Sequence, residues 1–505
     1  MTESNSSRNN SRNNSRKWSR RSLLKTGATG TGLAVAGGAL NAGSAAADTG
    51  EAPSRPDGHP GSMIGVPFDA YGEEVRVGIV GVGSRGVVLL NSMLRLPEVR
   101  VTAVCDIQPT QVANAVRIVT EAGQPEPAAY DGPGGNWETP DEHYDLAVAH
   151  SNQVRRTSRP VRDRWDDNDY RALCARDDVD IVINAGSWEW HHPICVTAML
   201  AGKHTGVEVP LAMELPHLWD LVDTSERARR HCIMLEQVPY GQTELRLLNM
   251  SADGVFGDLL CGYGGYQNEG RREAFDSISD RDPLRYPEGW RRRWWYRRDG
   301  DFYSMHGVSN IAMYMNVNRG DRLDTIYSTS TPSLGLTQYR AEHVPQSDPA
   351  WDDPDYVKGD RAHSLISTAQ GRTIEVSHDE TVPGPYSTLN WLTGVKASFK
   401  DYPGRIFIDG ESSGDWDDFG EHSAPYEHWL WGREGNENDH MFFRLFQCMR
   451  LGLVPDIDVY DSATWTAPIP LSTESIQRGE PVKVPDFTRG QWEDYREWFD
   501  RPNPE

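Results

Sequence analysis

Cysteine is sparse in this chain, and no two cysteines form a C-x-x-C pair. The six, Cys105, Cys174, Cys195, Cys232, Cys261 and Cys448, lie mostly inside apolar runs. They read as buried free thiols rather than a disulfide frame or a zinc site, and no metal site is expected. Lysine is also scarce, while arginine and aspartate are common; 51 basic against 74 acidic residues leave a formal charge of -23. That excess argues against nucleic acid and anionic membrane surfaces as partners. It fits a salt-rich habitat, a GC-rich genome, or an acidic surface kept for solubility. No apolar stretch is long and glycine-poor enough for a stable membrane span. G-x-S-x-G, H-E-x-x-H and Walker motifs are missing, as are internal repeats and the paired-carboxylate motif of ordinary glycosidases.

The sequence opens with a polar Arg/Asn/Ser tract that cannot build a core. Ser19-Arg20-Arg21-Ser22-Leu23-Leu24-Lys25 follows, then a weakly apolar Gly/Ala/Thr stretch and Ala45-Ala46-Ala47. Residues 1–47 therefore read as a twin-arginine export signal with a small-residue cleavage site. That route carries folded proteins, which suits a chain that loads a cytoplasmic cofactor before leaving. The expected location is periplasmic, cell-surface or extracellular. Residues 48–70, rich in Pro and Gly, read as a linker.

An apolar run from Val75 ends in Gly81-Val-Gly83-Ser84-Arg85-Gly86; a helix-compatible stretch follows, and a second strand-like run ends at Asp106, twenty positions after Gly86. In this arrangement Gly81 makes the tight turn, Gly83 permits close approach to a pyrophosphate, and Gly86 lets helix and strand pack. The helix N-terminus offers free N–H groups to phosphate. An acid at Asp106 suits the ribose hydroxyls of NAD and repels the extra phosphate of NADP.

Strand and helix patterns alternate onward to about residue 253, giving a parallel-sheet dinucleotide domain over 71–253. The polar segment at about 124–169 breaks the rhythm and reads as an insertion. Strand-like runs then follow one another, with convincing helices only at 305–315 and 437–451. The fold class is α/β: an N-terminal Rossmann domain plus an α+β C-terminal domain over 254–490 with a large, mostly antiparallel sheet, and a tail at 491–505. An exposed face of that sheet would supply a surface for homo-oligomerisation.

Three constellations point to chemistry. Trp188-Glu189-Trp190-His191 follows a buried strand, at the carboxyl edge where open α/β sheets bind ligands. Glu208-Val209-Pro210 ends another strand at that edge. Tyr303 and His306 begin a helix three residues apart, and a phenol and an imidazole are usual groups for moving protons. The Trp290–Trp295 cluster of indoles and arginines reads as sugar or cofactor contact on so acidic a chain. Structural alternatives stand beside each: an aromatic core corner, a solvated acid, a structural histidine, a surface turn.

With these motifs the chain resembles the Gfo/Idh/MocA oxidoreductase superfamily, and within it glycoside hydrolase family 109, the NAD-dependent α-N-acetylgalactosaminidases. Asn316-Val-Asn-Arg319-Gly-Asp-Arg322, Pro385-Tyr386-Ser387, Asp458-Val-Tyr-Asp461 and Pro485-Asp-Phe-Thr-Arg-Gly490 add to the likeness, which spans about 71–490. Sugar dehydrogenases of the superfamily carry Glu-Lys-Pro where this chain has Glu208-Val209-Pro210, and valine cannot shuttle a proton. The resemblance implies a redox-neutral hydrolysis of a glycoside. NAD⁺ takes hydride from C3, the C2 proton becomes acidic, C1 expels its leaving group, water adds, and the hydride returns.

It also implies residue roles. Ser84, Arg85 and Asp106 hold the adenosine half and pyrophosphate. Trp188, Glu189, Trp190, His191, Glu208, Val209, Gln237 and Tyr386 contact the cofactor. Tyr266, Arg291, Tyr303 and His306 face the sugar, with Tyr303 and His306 sharing the acid/base work. The chain departs from the family pattern at Gln237, where asparagine is usual, at Ser304-Met305 in place of Pro-Thr, and over 124–169 and 268–289. The competing readings are an exported NAD(P)-dependent sugar oxidoreductase, against which Val209 argues, and a catalytically silent sugar-binding protein, against which Tyr303 and His306 argue.

Overall fold

The computed structural model describes residues 52, 54–55, 59–132, 140–160, 167–275, 290–428 and 435–499. The export-signal reading of 1–47 lies outside them. Six parallel strands form the first sheet: β1 (Val75–Val80), β2 (Val99–Cys105), β3 (Ala128–Tyr130), β4 (Ile181–Asn184), β5 (His204–Val207) and β6 (Cys232–Met234). Their order is β3-β2-β1-β4-β5-β6, so chain direction across the sheet reverses between β1 and β4. In open α/β sheets that switch point is where a crevice forms beyond the strand ends. β4 and β5 are buried along their whole lengths, as strands covered on both faces must be.

Helices α1 (Ser84–Leu94), α2 (Pro109–Glu121), α3 (Pro140–Thr157), α4 (Tyr170–Cys174), α5 (Trp188–Leu200), α6 (Leu215–Ala228) and α7 (Gln242–Ala252) accompany this sheet. α5 is buried all round, between α3 and α6. The segment read as an insertion is partly integral. Ala128–Tyr130 is the edge strand β3, paired with β2, and α3 packs on α5. A three-residue strand carries no alternation, so its sequence gives no sign of it. The span read as a linker also docks. Met63 and Phe68 are buried, and the Phe68 ring packs 4.3 Å from His231 and 4.9 Å from His204.

The second sheet has nine strands in the order β14-β13-β12-β11-β7-β10-β9-β8-β15. These are β7 (Leu259–Gln267), β8 (Leu323–Ser330), β9 (Arg361–Thr368), β10 (Thr373–Asp379), β11 (Trp391–Gly394), β12 (Ala397–Lys400), β13 (Arg405–Ile408), β14 (Asp417–Asp418) and β15 (Val482–Lys483). Only the β7–β10 pair is parallel. After the short α8 (Arg271–Phe275) come α9 (Trp290–Arg297) and α10 (Met305–Tyr314). α10 lies on β7 at a glycine seam. A Cβ on Gly264 would sit 2.4 Å from the Gly307 carbonyl oxygen, and one on Gly307 would sit 2.1 Å from the Gly265 nitrogen. Backbone meets backbone there, which fixes the height of α10 above the sheet. On the opposite face Tyr327, Leu365, Tyr263 and Trp391 fall in one cross-strand row, interrupted by Glu375, and Tyr327, Leu365 and Trp391 are exposed.

The second half is more helical than its sequence suggests. α9 and helices Gly335–His343, Val459–Thr466 and Pro468–Arg478 were not expected. α9 is built of indoles and guanidinium groups, so its apolar periodicity is weak, and Pro468 and Pro470 disguise the first turn of Pro468–Arg478 as a loop. The Asp458-Val-Tyr-Asp461 marker is a capping box: the Asp458 carboxylate accepts from the Tyr460 and Asp461 N–H groups, and Asp461 returns a bond to the Asp458 N–H. Asp461 also takes a bidentate pair from Arg319 at 2.7 and 2.8 Å. The tail read over 491–505 is anchored in part: Trp498 lies over that Arg319 at 3.3 Å, and Phe499 is buried. The six cysteines form no disulfide; five are buried and Cys261 is half-buried. Among the described residues no helix is long and apolar enough to cross a membrane.

Candidate active site between the sheets

A cavity of about 310 Å³ lies at the carboxyl ends of the first sheet and draws walls from both halves of the molecule. Its nucleotide side follows from the glycines. Gly81 has φ +83°, and a Cβ there would lie 2.5 Å from the Ala185 carbonyl. A Cβ on Gly86 would lie 2.0 Å from the Gly81 carbonyl oxygen, so only glycine lets α1 start this close to β1. Gly83 has open space where its side chain would be. No side chain caps α1, whose first N–H groups are left for a ligand oxygen. Asp106 is buried; its two oxygens accept the Val82 N–H at 2.8 Å and the Gln108 N–H at 2.9 Å. Burial pushes this carboxyl up to about 6, against those two donors. An acceptor pair beside an uncapped glycine-rich turn matches the ribose and pyrophosphate of a dinucleotide, so the residues present fit NAD.

Arg85 does not reach freely for phosphate. It is pinned to Glu208 at 2.7 Å and Asn438 at 3.0 Å, with Gln237 at 3.4 Å. It thereby ties α1 to the end of β5 and to the helix Glu437–Leu451. The following Val209–Pro210 bond is cis, and Val209 lines the cavity. Beside it, His191 is fixed through Nδ1 by the Pro210 carbonyl at 2.6 Å and lies 3.0 Å from the Gly186 carbonyl. Burial holds this imidazole below its usual range, despite both carbonyls.

The chemical end is aromatic and tightly ordered. Tyr303 and His306 are one turn apart on the entry to α10, with rings nearly parallel at 6° and 5.7 Å between centroids. Tyr266 of β7 stacks on Tyr303 at 4.8 Å and lies 5.2 Å from His306. Trp188 meets Tyr303 edge-on at 5.3 Å. Arg291 lies over Trp290 at 4.5 Å and donates Nη2–H to the Tyr303 oxygen at 3.0 Å, with Nε at 3.3 Å. Burial pushes Tyr303 up to about 12 although Arg291 opposes it, so the phenol keeps its proton at neutral pH. With Arg291 donating to its oxygen, that proton is free to point elsewhere. His306 Nδ1 lies 3.0 Å from the buried Glu236 carboxylate, whose same oxygen accepts the Val238 N–H at 3.0 Å. A carboxylate only accepts, so Nδ1 carries the hydrogen and Nε2 is left as the base.

Most expected residues thus converge. Gly81, Gly83, Ser84, Arg85, Gly86, Asp106, Trp188, Trp190, His191, Glu208, Val209, Gln237, Arg291, Tyr303 and His306 line one cavity. Glu189 is not among its described walls: the first turn of α5 aims it at α9, where Trp294 Nε1 donates to it at 3.4 Å. Tyr386 borders a neighbouring cleft and meets Tyr266 edge-on at 5.9 Å. Tyr266 supports Tyr303 and His306 from the sheet side. Sequence reasoning passed over Glu236, though it lies two residues past β6 at the ligand-binding edge, one residue before Gln237. It also passed over Asn438, and over His150 and Tyr170, joined at 2.8 Å on the cavity wall.

Comparison with known proteins agrees with this layout. Residues 240–494 match the family model described as "Glycosyl hydrolase 109, C-terminal domain", and residues 75–236 match "Oxidoreductase family, NAD-binding Rossmann fold". A "Glycosyl hydrolase family 109 protein" of Saccharopolyspora erythraea is 45% identical, covering 96% of this chain and 98% of that one. Another of the same description, from Streptomyces coelicolor, is 40% identical over 95% and 96%. Among solved structures, an oxidoreductase domain protein from Kribbella flavida superposes with a TM-score of 0.58 at 14% identity, over 82% of this chain and 99% of that one. An oxidoreductase from Agrobacterium radiobacter, in complex with NAD+, L-tartaric acid and magnesium, gives 0.53 at 16% identity, over 81% and 98%. At these identities the two structures speak for the fold.

Proposed function

The chain belongs to glycosyl hydrolase family 109, and from that premise we propose that it hydrolyses glycosides of α-N-acetylgalactosamine type while keeping NAD bound from one turnover to the next. The observation that carries this reading is the meeting of a phenol donor, an imidazole base and a dinucleotide turn in one cavity, with Val209 where a proton-shuttling lysine would be needed for ordinary sugar oxidation. Gly81, Gly86 and Asp106 would hold NAD, whose chemistry there would be reversible hydride exchange at sugar C3, which lets the glycosidic bond open by elimination. His306, oriented by Glu236, would take a proton from the sugar through Nε2. Tyr303 would donate its phenolic proton to sugar oxygen, held in place by Arg291. Trp188 and Trp290 would cover the site against water, and the Arg85–Glu208 pair would fix the wall between the two ligands.

Purified protein given p-nitrophenyl glycosides without added cofactor, and then with NAD⁺, tests the proposal. Nitrophenol released without net NADH, with deuterium appearing at C2 of the product in heavy water, is the expected result. Two-carboxylate hydrolysis would leave C2 unlabelled. Stoichiometric NADH and a ketosugar would instead establish a sugar oxidoreductase. Export by the twin-arginine route is part of the proposal. A reporter fused after residue 47 should leave the cytoplasm, and Arg20→Lys with Arg21→Lys should retain it.

A further inference from the structure

Beside the catalytic cavity lies a second cleft of about 660 Å³, and Gln237 is a wall of both. Tyr386, which forms part of the second cleft, packs edge-on against Tyr266, which in turn stacks on Tyr303. We infer that this cleft holds the leaving-group side of the substrate, a neutral, hydroxyl-rich glycan chain attached to the scissile sugar, and disfavours anionic glycans. The inference rests on the glycosidase reading above and specifies what that enzyme cleaves.

Three features carry it. Tyr386 and Tyr402 keep 50% and 49% of their surface exposed at the cleft, which offers aromatic faces to the C–H faces of sugar rings. The Tyr402 ring is anchored, its hydroxyl 3.0 Å from the Thr388 hydroxyl, and its backbone sits at φ +62°, an outlier for an aromatic residue. Such outliers collect at ligand clamps. The remaining polar walls include Glu244, Asp401 and Glu437, with His440 the one basic side chain among the described lining residues. Carboxyl groups accept bonds from sugar hydroxyls, and burial pushes Glu244 up to about 8, so near neutral pH it also donates. The carboxylates of Asp401 and Glu437 on the same walls repel sulfate and carboxylate substituents.

The test uses the full chain with bound NAD and three substrates sharing one terminal sugar: its p-nitrophenyl glycoside, its glycoside on a neutral disaccharide, and that disaccharide glycoside sulfated. Gln242, exposed on the cleft rim in the first turn of α7, is the site for a plug. Gln242→Trp is expected to lower kcat/KM for the neutral oligosaccharide about tenfold, mainly through KM, and to leave the aryl glycoside within about twofold. Glu437→Lys is expected to narrow the preference for neutral over sulfated oligosaccharide by about fivefold. Losing both substrates equally with Gln242→Trp, losing neither, or finding no wild-type preference between neutral and sulfated chains overturns the inference. A wild-type protein that cleaves no aryl glycoside sinks the glycosidase reading itself. Intact aryl hydrolysis with an indifferent Gln242→Trp sinks only the cleft assignment.

Discussion

Removing the charge of Glu236 is the sharpest single perturbation of the proposed chemistry. Its carboxylate holds His306 Nδ1 at 3.0 Å and is itself buried, so neither water nor salt screens the contact. In Glu236→Gln the side-chain carbonyl would stay where the Val238 N–H already points, and so would keep the same His306 tautomer. What is lost is the charge that stabilises imidazolium when Nε2 takes a proton. A hydrogen bond to a charged group contributes about 1.5–3 kcal/mol. That translates into a fall in kcat of about 10- to 150-fold. KM and NAD content should hardly change, because Glu236 faces the histidine and not the nucleotide turn. The assay is saturated release of p-nitrophenol, with NAD measured after denaturation and Tm as a check on folding. A Glu236→Gln protein that keeps its NAD and turns over within about twofold of the parent would refute the view that this carboxylate prepares His306 as the base.

Other outcomes follow from the same geometry. Burial places Asp106 at about 6, and its ionised form is the one that accepts ribose hydroxyls; NAD affinity should be flat above pH ~7 and weaken as pH falls through 6. Asp106→Asn should abolish that dependence in a calorimetric titration, and tighter binding in acid would contradict the role. Arg291→Met removes both donors from the Tyr303 oxygen and should cost about tenfold or more in kcat/KM. Because Arg291 opposes the rise in Tyr303, its loss pushes that phenol still higher, so no new ionisation should appear in the rate profile near neutrality. Gly307→Ala would drive a Cβ into the Gly265 nitrogen, and thermal unfolding should show a loss of about 1–3 kcal/mol or more, with activity falling further than stability.

The nucleotide half was legible because its chemistry is local. Gly81, Gly86 and Asp106 are forced by a turn and a strand end within one supersecondary unit, and their spacing carries the information. The parallel character of the first sheet follows from the alternation of strands and helices. Tyr303 and His306 could be paired because one helical turn joins them. Glu236 could not be paired with His306 from spacing, since seventy residues separate them and only packing of α10 on β7 and on the turn Val238–Tyr240 brings them together. The side chain of Glu189 went elsewhere for a related reason: residing at the right edge of a sheet does not set the direction of a side chain. The helix α9 was hidden because tryptophan and arginine line its buried face, where Arg292 is paired with Asp353 and no aliphatic stripe marks the inner side. The docked Phe68 shows the converse, one aromatic residue deciding the fate of a Pro/Gly-rich span.

The seam at Gly264 and Gly307 has a bearing on how this scaffold could diversify. Where two main chains touch, no side chain is present to be exchanged, so substitution cannot adjust the spacing by small steps. The groups on α10 to which the proposal gives the chemistry are therefore held at a fixed setting. New substrate preferences have to arise from replaceable surroundings such as Tyr386 or the Asp401–Tyr402 corner. One rigid frame can in this way be combined with different sets of outer residues around the cavity.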